Sequence, residues 1–285
     1  MKLTILIIGL IFSTKVMALG SKGHWLVCQL AFEQLTTQQQ ISINGLLAHL
    51  PSTEVRLLNS YLHKKSTAAI SFADACSWAD AIKNQTPYTH FKAWHFVNLS
   101  REEKHVNAFA CQNNCLLDAI SFHQQQFLLL QTPRIKIQAL LFLAHWLGDI
   151  HQPLHVSYRS DLGGNKTKVI AKNRACSNLH QIWDSCLLAQ LTKQQWLLQL
   201  TTPLNFSVSD ELTAINIQSW ANESFAISRR PSVGYCQTSK TNSSCLANLN
   251  PINFDQTYKK QHTPLLTLRI QQAARRLWLF LSTHI

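Results

Sequence analysis

Residues 132–155 read Thr132-Pro-Arg-Ile-Lys-Ile-Gln-Ala-Leu-Leu-Phe-Leu-Ala-His145-Trp-Leu-Gly-Asp149-Ile-His151-Gln-Pro-Leu-His155. Thr132 and Pro133 suit an N-cap and a first helical position, where proline's missing N–H would have gone unpaired anyway. Ile135, Ile137 and the run from Ala139 to Ala144 are apolar on almost every face of a helix, so this segment belongs in the middle of the fold. His145 and Asp149 lie four apart and share one helix face. An imidazole and a carboxylate carried into such an interior need partners, because burying unpaired polar groups is costly. A metal ion satisfies both at once.

The same pairing recurs outward from this stretch. His180 and Asp184 are four apart in Asn178-Leu-His-Gln-Ile-Trp-Asp184. Asp80 ends Cys76-Ser-Trp-Ala-Asp80, His95 stands in Trp94-His-Phe-Val-Asn98, and His24 lies near the start in Leu19-Gly-Ser-Lys-Gly-His24. Any one of these taken alone reads as a satisfied core or surface residue. Together with His155 they form a nitrogen and oxygen ligand set without sulfur, which suits zinc, manganese or iron.

Residues 1–18 read as a secretory signal: Lys2, an apolar core from Leu3 to Phe12, and Val16-Met17-Ala18 as a small-residue cleavage site. The apolar run is too short for a stable membrane span, so no membrane insertion is expected after cleavage. The remaining 19–285 suffice for one large domain. The product would be exported, either secreted or periplasmic. Net charge is +12, which favours a polyanionic partner. The basic residues form only pairs, such as Arg229-Arg230 and Arg275-Arg276, so charge supports that reading without carrying it. Eight cysteines in an exported chain point to disulfides. Cys111 with Cys115, and Cys236 with Cys245, could each close a small loop. Cys28, Cys76, Cys176 and Cys186 remain, and spacing leaves their pairing open.

Helical patterns are expected near 23–36, 37–49, 67–83, 113–131, 133–150, 177–190, 208–228 and 262–282. Asn165 to Lys172, after Gly163-Gly164, suggests one short β-hairpin. Residues 229–256, rich in Ser, Asn, Pro and Cys, read as a stapled loop. The expected fold is all-α, a single multi-helix domain with metal sites between helices.

These residues, in this order, resemble the zinc-dependent fungal and plant single-strand nucleases (the S-one/P-one type), with zinc phospholipases C as distant relatives. The resemblance rests on Gly23-His24, Ser77-Trp-Ala-Asp80, Trp94-His95-Phe, the His145 to His155 block, Gly163-Gly164-Asn165 and Asn178-Leu-His180 through Asp184. It implies a trinuclear zinc site of three Zn2+. One ion would be held by Asp80, His95, His145 and Asp149. A second would be held by His24, the bridging Asp149, and the amine and carbonyl of Leu19 as the mature N-terminus. The third would be held by His155, His180 and Asp184. His151 matches no ligand position and is read as supporting or structural.

The resemblance further implies that zinc-activated hydroxide attacks phosphorus in line. The substrates would be single-stranded DNA, RNA and 3′-nucleotides, cleaved to 5′-phosphate products; the chain itself is expected to be a monomer. Phe96 matches an aromatic of the base pocket. Cys28 and Cys76 match a family bridge, and Cys111–Cys115 a weaker one. Two departures stand out. The chain offers Leu19 where the family usually begins with Trp, and Asn98 where the fungal enzymes carry a catalytic-site Asp. Two alternatives remain at this stage: a zinc phospholipase C, and an exported metal-binding protein without catalysis.

Overall fold

The helix that opens the sequence reading is the axis of the molecule. In the computed structural model, α7 spans Pro133–His151 and is buried without interruption from Ala139 to His151. Pro133 occupies the first turn and Gln152-Pro153 ends the helix. The structure describes residues 19–107, 110–111, 114–172, 176–201, 211–238 and 244–285. The proposed leader 1–18 lies outside them.

The remaining helices are α1 (Ser21–Glu33), α2 (Thr37–Leu47), α3 (Ser52–Tyr61), α4 (Phe72–Ala75), α5 (Trp78–Ile82), α6 (Leu116–Leu129), α8 (Leu179–Asp184), α9 (Lys193–Leu200), α10 (Ala214–Ser228) and α11 (Gln256–His284). Around α7 pack α1, α2, α5, α6, α10 and α11. Several starts are set by short polar side chains. Thr36 and Gln39 form a reciprocal capping box on α2, and Asp255 accepts the Tyr258 N–H at the head of α11. Among the described residues, no helix is long and apolar enough to cross a membrane.

Among the described residues, six three-residue strands pair two by two. β1 (Val97–Leu99) runs parallel to β2 (Val156–Tyr158), with Val97 opposite Val156. The pairing carries the chain just before β1 alongside that just before β2, and the His95 carbonyl meets His155 Nδ1 there. β3 (Val169–Ala171) runs parallel to β6 (Ile252–Phe254), and β4 (Cys236–Thr238) pairs antiparallel with β5 (Cys245–Ala247).

The hairpin expected at 165–172 is therefore a correction. Lys168 makes one antiparallel bridge to Asn178, but β3 pairs with the distant β6. The hairpin sits instead at β4–β5, where Cys236–Cys245 closes it. The other bridges are Cys28–Cys76, Cys111–Cys115 and Cys176–Cys186, the last of which the sequence left unassigned.

The expected helix at 67–83 is broken into α4 and α5. Cys76 between them is tied to Cys28, and its carbonyl serves His145 instead of a helical N–H. Helices α3 and α9 and the 3-10 segment 86–95 had no clear sequence signal.

Candidate metal centre

Five segments of chain bring side chains to α7. From α1 comes His24, from α5 Asp80, and from the end of the 3-10 segment His95. His145 and Asp149 come from α7, His155 from the turn just after it, and His180 and Asp184 from α8. All eight are at most 6% exposed. The two i, i+4 pairs behave as helical geometry requires: His145 Nε2 lies 3.3 Å from Asp149 Oδ2, and His180 Nε2 lies 3.3 Å from Asp184 Oδ2.

Asp149 sits between two sets of nitrogens. Its Oδ2 is 3.0 Å from His95 Nδ1 and 3.3 Å from His145 Nε2, while Oδ1 is 3.3 Å from His24 Nε2. His24 stacks on His145 with centroids 3.8 Å apart. A few ångströms on, His155 Nε2 faces Asp184 Oδ1 at 3.6 Å, and His155 stacks on His180. Three His/Asp groups thus hold ligand atoms within 4.8 Å of one another, the first two sharing His145: His24, His145 and Asp149; Asp80, His95 and His145; His155, His180 and Asp184.

Carbonyl oxygens fix the rings. They can only accept, so the nitrogen facing each one carries the proton. His145 Nδ1 donates to Cys76 O at 2.8 Å, His155 Nδ1 to His95 O at 2.7 Å, and His180 Nδ1 to Gly163 O at 2.7 Å. Each Nε2 lone pair is left facing inward. His24 Nε2, His155 Nε2, His180 Nε2, Asp149 Oδ1 and Asp184 Oδ2 are buried without a hydrogen bond. Orphans of this kind are costly in a folded core, and a cation among them removes the cost. The donor set fits a divalent metal.

Charge agrees with that fit. Burial pushes the Asp149 carboxyl up, but His145 and His155 outweigh it and hold it well below the usual range. Asp80 is likewise held low against burial, chiefly by Lys83 and then His145. Burial lowers His95 to about 4. His155 goes the other way: burial opposes its charge, but Asp149 and Asp184 raise it to about 9. A cation taking the His155 Nε2 lone pair would displace any proton that the two carboxylates draw there.

Of the other expected site residues, Leu19 is buried at the entry to α1. A Cβ on Gly23 would collide with its side chain, and the next residue, Gly20, bonds Asp184 O through its N–H. The chain at position 19 thus lies against the centre. Phe96 and Asn98 are half-buried. They alternate with the buried Val97 and Leu99, so they share the opposite face of the extended segment. His151 turns away from the centre. Its Nε2 meets Arg276 and its carbonyl accepts from Arg269, a structural role.

The sequence reading missed the groups that steady the carboxylates. Lys83 Nζ lies 2.8 Å from Asp80 Oδ1, and Tyr61 OH donates to Asp80 Oδ2. Gln152 Nε2 donates to Asp184 Oδ1 at 2.6 Å. Lys83 stands three residues after Asp80, a spacing that could have revealed it. Tyr61 comes from α3 and gave no signal.

Known proteins resemble this chain in sequence. The family model described as S1/P1 Nuclease matches residues 19–285. Endonuclease 3 of Arabidopsis thaliana is 27% identical over 230 residues, covering 78% of this chain and 68% of that protein. Endonuclease 2 of the same plant is 30% identical over 181 residues, 59% of this chain and 56% of its own length. Nuclease S1 of Aspergillus oryzae is 30% identical over 118 residues, 40% of each chain. The chain thus spans between two fifths and about two thirds of these relatives. With a buried His/Asp centre able to hold metal and a match along the whole of 19–285, this chain belongs to the S1/P1 nuclease family, hydrolases acting on phosphodiester bonds.

Proposed function

We propose that the protein is an exported zinc-dependent endonuclease that cuts single-stranded DNA and RNA to 5′-phosphate products and also acts as a 3′-nucleotidase. The observation that carries this reading is the set of three His/Asp groups, each containing buried, unbonded ligand atoms. Imidazole and carboxylate donors suit zinc, and three groups suit three ions. Asp80, His95, His145 and Asp149 would hold the first, and His24, Asp149 and the Leu19 terminus the second. His155, His180 and Asp184 would hold the third. When bound, the ions would supply Lewis acidity, activating water for in-line attack on phosphorus and offsetting charge on the departing oxygen.

The rest of the chemistry belongs to the chain. Asp149 offers one oxygen to each of two neighbouring positions, which holds like charges together. The carbonyls of Cys76, His95 and Gly163 keep the imidazoles in the ligating tautomer and orientation. Lys83 and Tyr61 restrain Asp80, and Gln152 restrains Asp184. Phe96 offers an aromatic face to a base, which only an unstacked strand can present. Asn98 can hydrogen-bond substrate but cannot act as a base.

The test is metal analysis of purified 19–285 together with an activity panel of single- and double-stranded DNA, RNA, 3′-AMP and phosphatidylcholine. Three zinc ions per chain with cleavage of single strands and 3′-AMP is the expected result. Turnover of phosphatidylcholine alone would make the protein a phospholipase. Metal binding with no turnover of any phosphoester would make it a binding protein.

A further inference from the structure

The turn that holds His180 is under strain. Leu162, Gly163 and Gly164 all adopt positive φ, at 55°, 63° and 81°. The left-handed region is costly for a non-glycine residue, so Leu162 persists there only if its surroundings impose it. The turn grips His180 twice. Gly163 O accepts from His180 Nδ1 at 2.7 Å, and Gly164 O accepts from the His180 N–H. On the far side of the ring, Nε2 lies 3.3 Å from Asp184 Oδ2 and His155 stacks on the imidazole.

What imposes the turn is Asp161. Its Oδ1 accepts the Gly164 N–H at 3.1 Å and the Tyr235 hydroxyl at 2.6 Å, and its backbone carbonyl accepts the Lys166 N–H. Its Oδ2 receives Arg101 Nη2 at 2.5 Å. The same guanidinium donates through Nε to Ser160 Oγ and through Nη1 to Cys245 O. Its face lies 4.7 Å from the Tyr158 ring centroid and 5.3 Å from that of Tyr235. Arg101 therefore joins three segments: the chain leaving β1, the 159–166 turn, and the disulfide-closed β4–β5 hairpin. Arginine's planar fork can meet all three acceptors at once, which an ammonium cannot.

We propose that Arg101 is a positioning residue for His180. Through Asp161 it locks the left-handed turn whose Gly163 carbonyl aims His180 Nε2 at the site of the third ion. The proposal rests on the reading of His155, His180 and Asp184 as metal ligands. Partners one shell out from a metal typically change its affinity by roughly 10–100-fold, and Arg101 acts at one further remove, through the turn. The expected effect is thus about 10-fold on one ion only.

The experiment is zinc titration by chelator competition on 19–285, for wild type, Arg101→Met, Arg101→Lys, Asp161→Asn and His180→Ala, with thermal melts of the metal-free forms. The expected result is about 10-fold weaker binding of one ion in Arg101→Met and Asp161→Asn, with the others unchanged. Arg101→Lys, which restores only the charge at Asp161, should fall between. Asp161→Asn removes the charge that Arg101 meets with nearly unchanged side-chain volume, and serves if Arg101→Met does not fold. Unchanged affinities overturn the proposal. So does equal weakening of every ion in step with the metal-free melting temperature, which would make Arg101 a general stabiliser. Full zinc content in His180→Ala would instead remove the metal-ligand reading, a failure separable from that of the clamp.

Discussion

The two oxygens of Asp149 face different imidazoles, Oδ2 toward His95 and His145 and Oδ1 toward His24. Replacing this carboxylate by a carboxamide keeps the shape and removes the charge that two neighbouring cations would share. Asp149→Asn is expected to lose at least one metal ion and to lower the rate by about 10³, the scale for removing a major electrostatic element. Full metal content with near-normal rate would refute the bridging role. Leu19 is a different case, because backbone atoms and not a side chain would bind. An α-amine titrates near ~7.7–8.0, so a nearby cation can displace its proton around neutral pH. One extra residue before Leu19 makes that nitrogen an amide, a poor ligand. The extended chain should fold but hold one fewer ion and be nearly inactive, whereas a C-terminal tag should be harmless. Mass spectrometry of each terminus with zinc content and nuclease rate decides the matter, and equal values in both forms would discard Leu19 as a ligand.

Helices α1 and α7 meet closely at Gly148. A Cβ there would stand 2.6 Å from His24 Nδ1 and 2.9 Å from its Cε1, with Leu19 also within reach. The glycine is thus a spacing device that lets His24 stack on His145. Gly148→Ala must push His24 or the whole of α1 outward. Overpacking of this kind costs about 1–3 kcal/mol, so the fold should survive while the ion at His24 is weakened. Zinc titration and a melt of the variant measure both, and unaltered zinc affinity would show that the helices have slack. The Cys28–Cys76 bridge acts on the same contact. It ties α1 to the break between α4 and α5, where the Cys76 carbonyl takes the His145 proton.

At the scale of the molecule, α11 is anchored to α10 and α7 by a partly buried charge cluster. Arg269 and Arg276 both reach Glu223, and Arg269 also donates to Trp220 O and Ser224 Oγ. Burial raises the Glu223 carboxyl, but Arg276 and Arg269 outweigh it and hold it below its usual range. A carboxyl lowered in the folded state stabilises the fold above its unfolded pKa of about 4.3, and that stability is lost as pH falls through the folded value. Glu223→Gln leaves the buried Arg269 short of its counter-charge. Breaking a fully buried pair costs about 3–5 kcal/mol. Glu223 is partly open to solvent, so roughly 2 kcal/mol is expected at pH 7. The gap in melting temperature between parent and variant should close as pH falls below about 4. An equal gap at pH 7 and pH 3 would mean that charge is not the cause.

Much of this was legible in one dimension. The i, i+4 pairs His145/Asp149 and His180/Asp184 are visible because helix geometry is local, and an apolar run marks its own burial. The all-α fold and the small Cys236–Cys245 loop followed from the same local logic, and family resemblance added Cys28–Cys76. The α4–α5 break, the pairing of β3 with β6 and the Cys176–Cys186 bridge were not legible, because each depends on a partner far along the chain. The same holds for Tyr61 on Asp80 and for the Arg101 clamp. Sequence by itself determined which side chains could ligate metal and that the long apolar helix would carry two of them inward. Only tertiary structure decided which nitrogen of each ring faces the centre, how close the three groups lie, and which strained turn holds His180. Those are set by carbonyls, glycines and charges that meet only when distant segments pack.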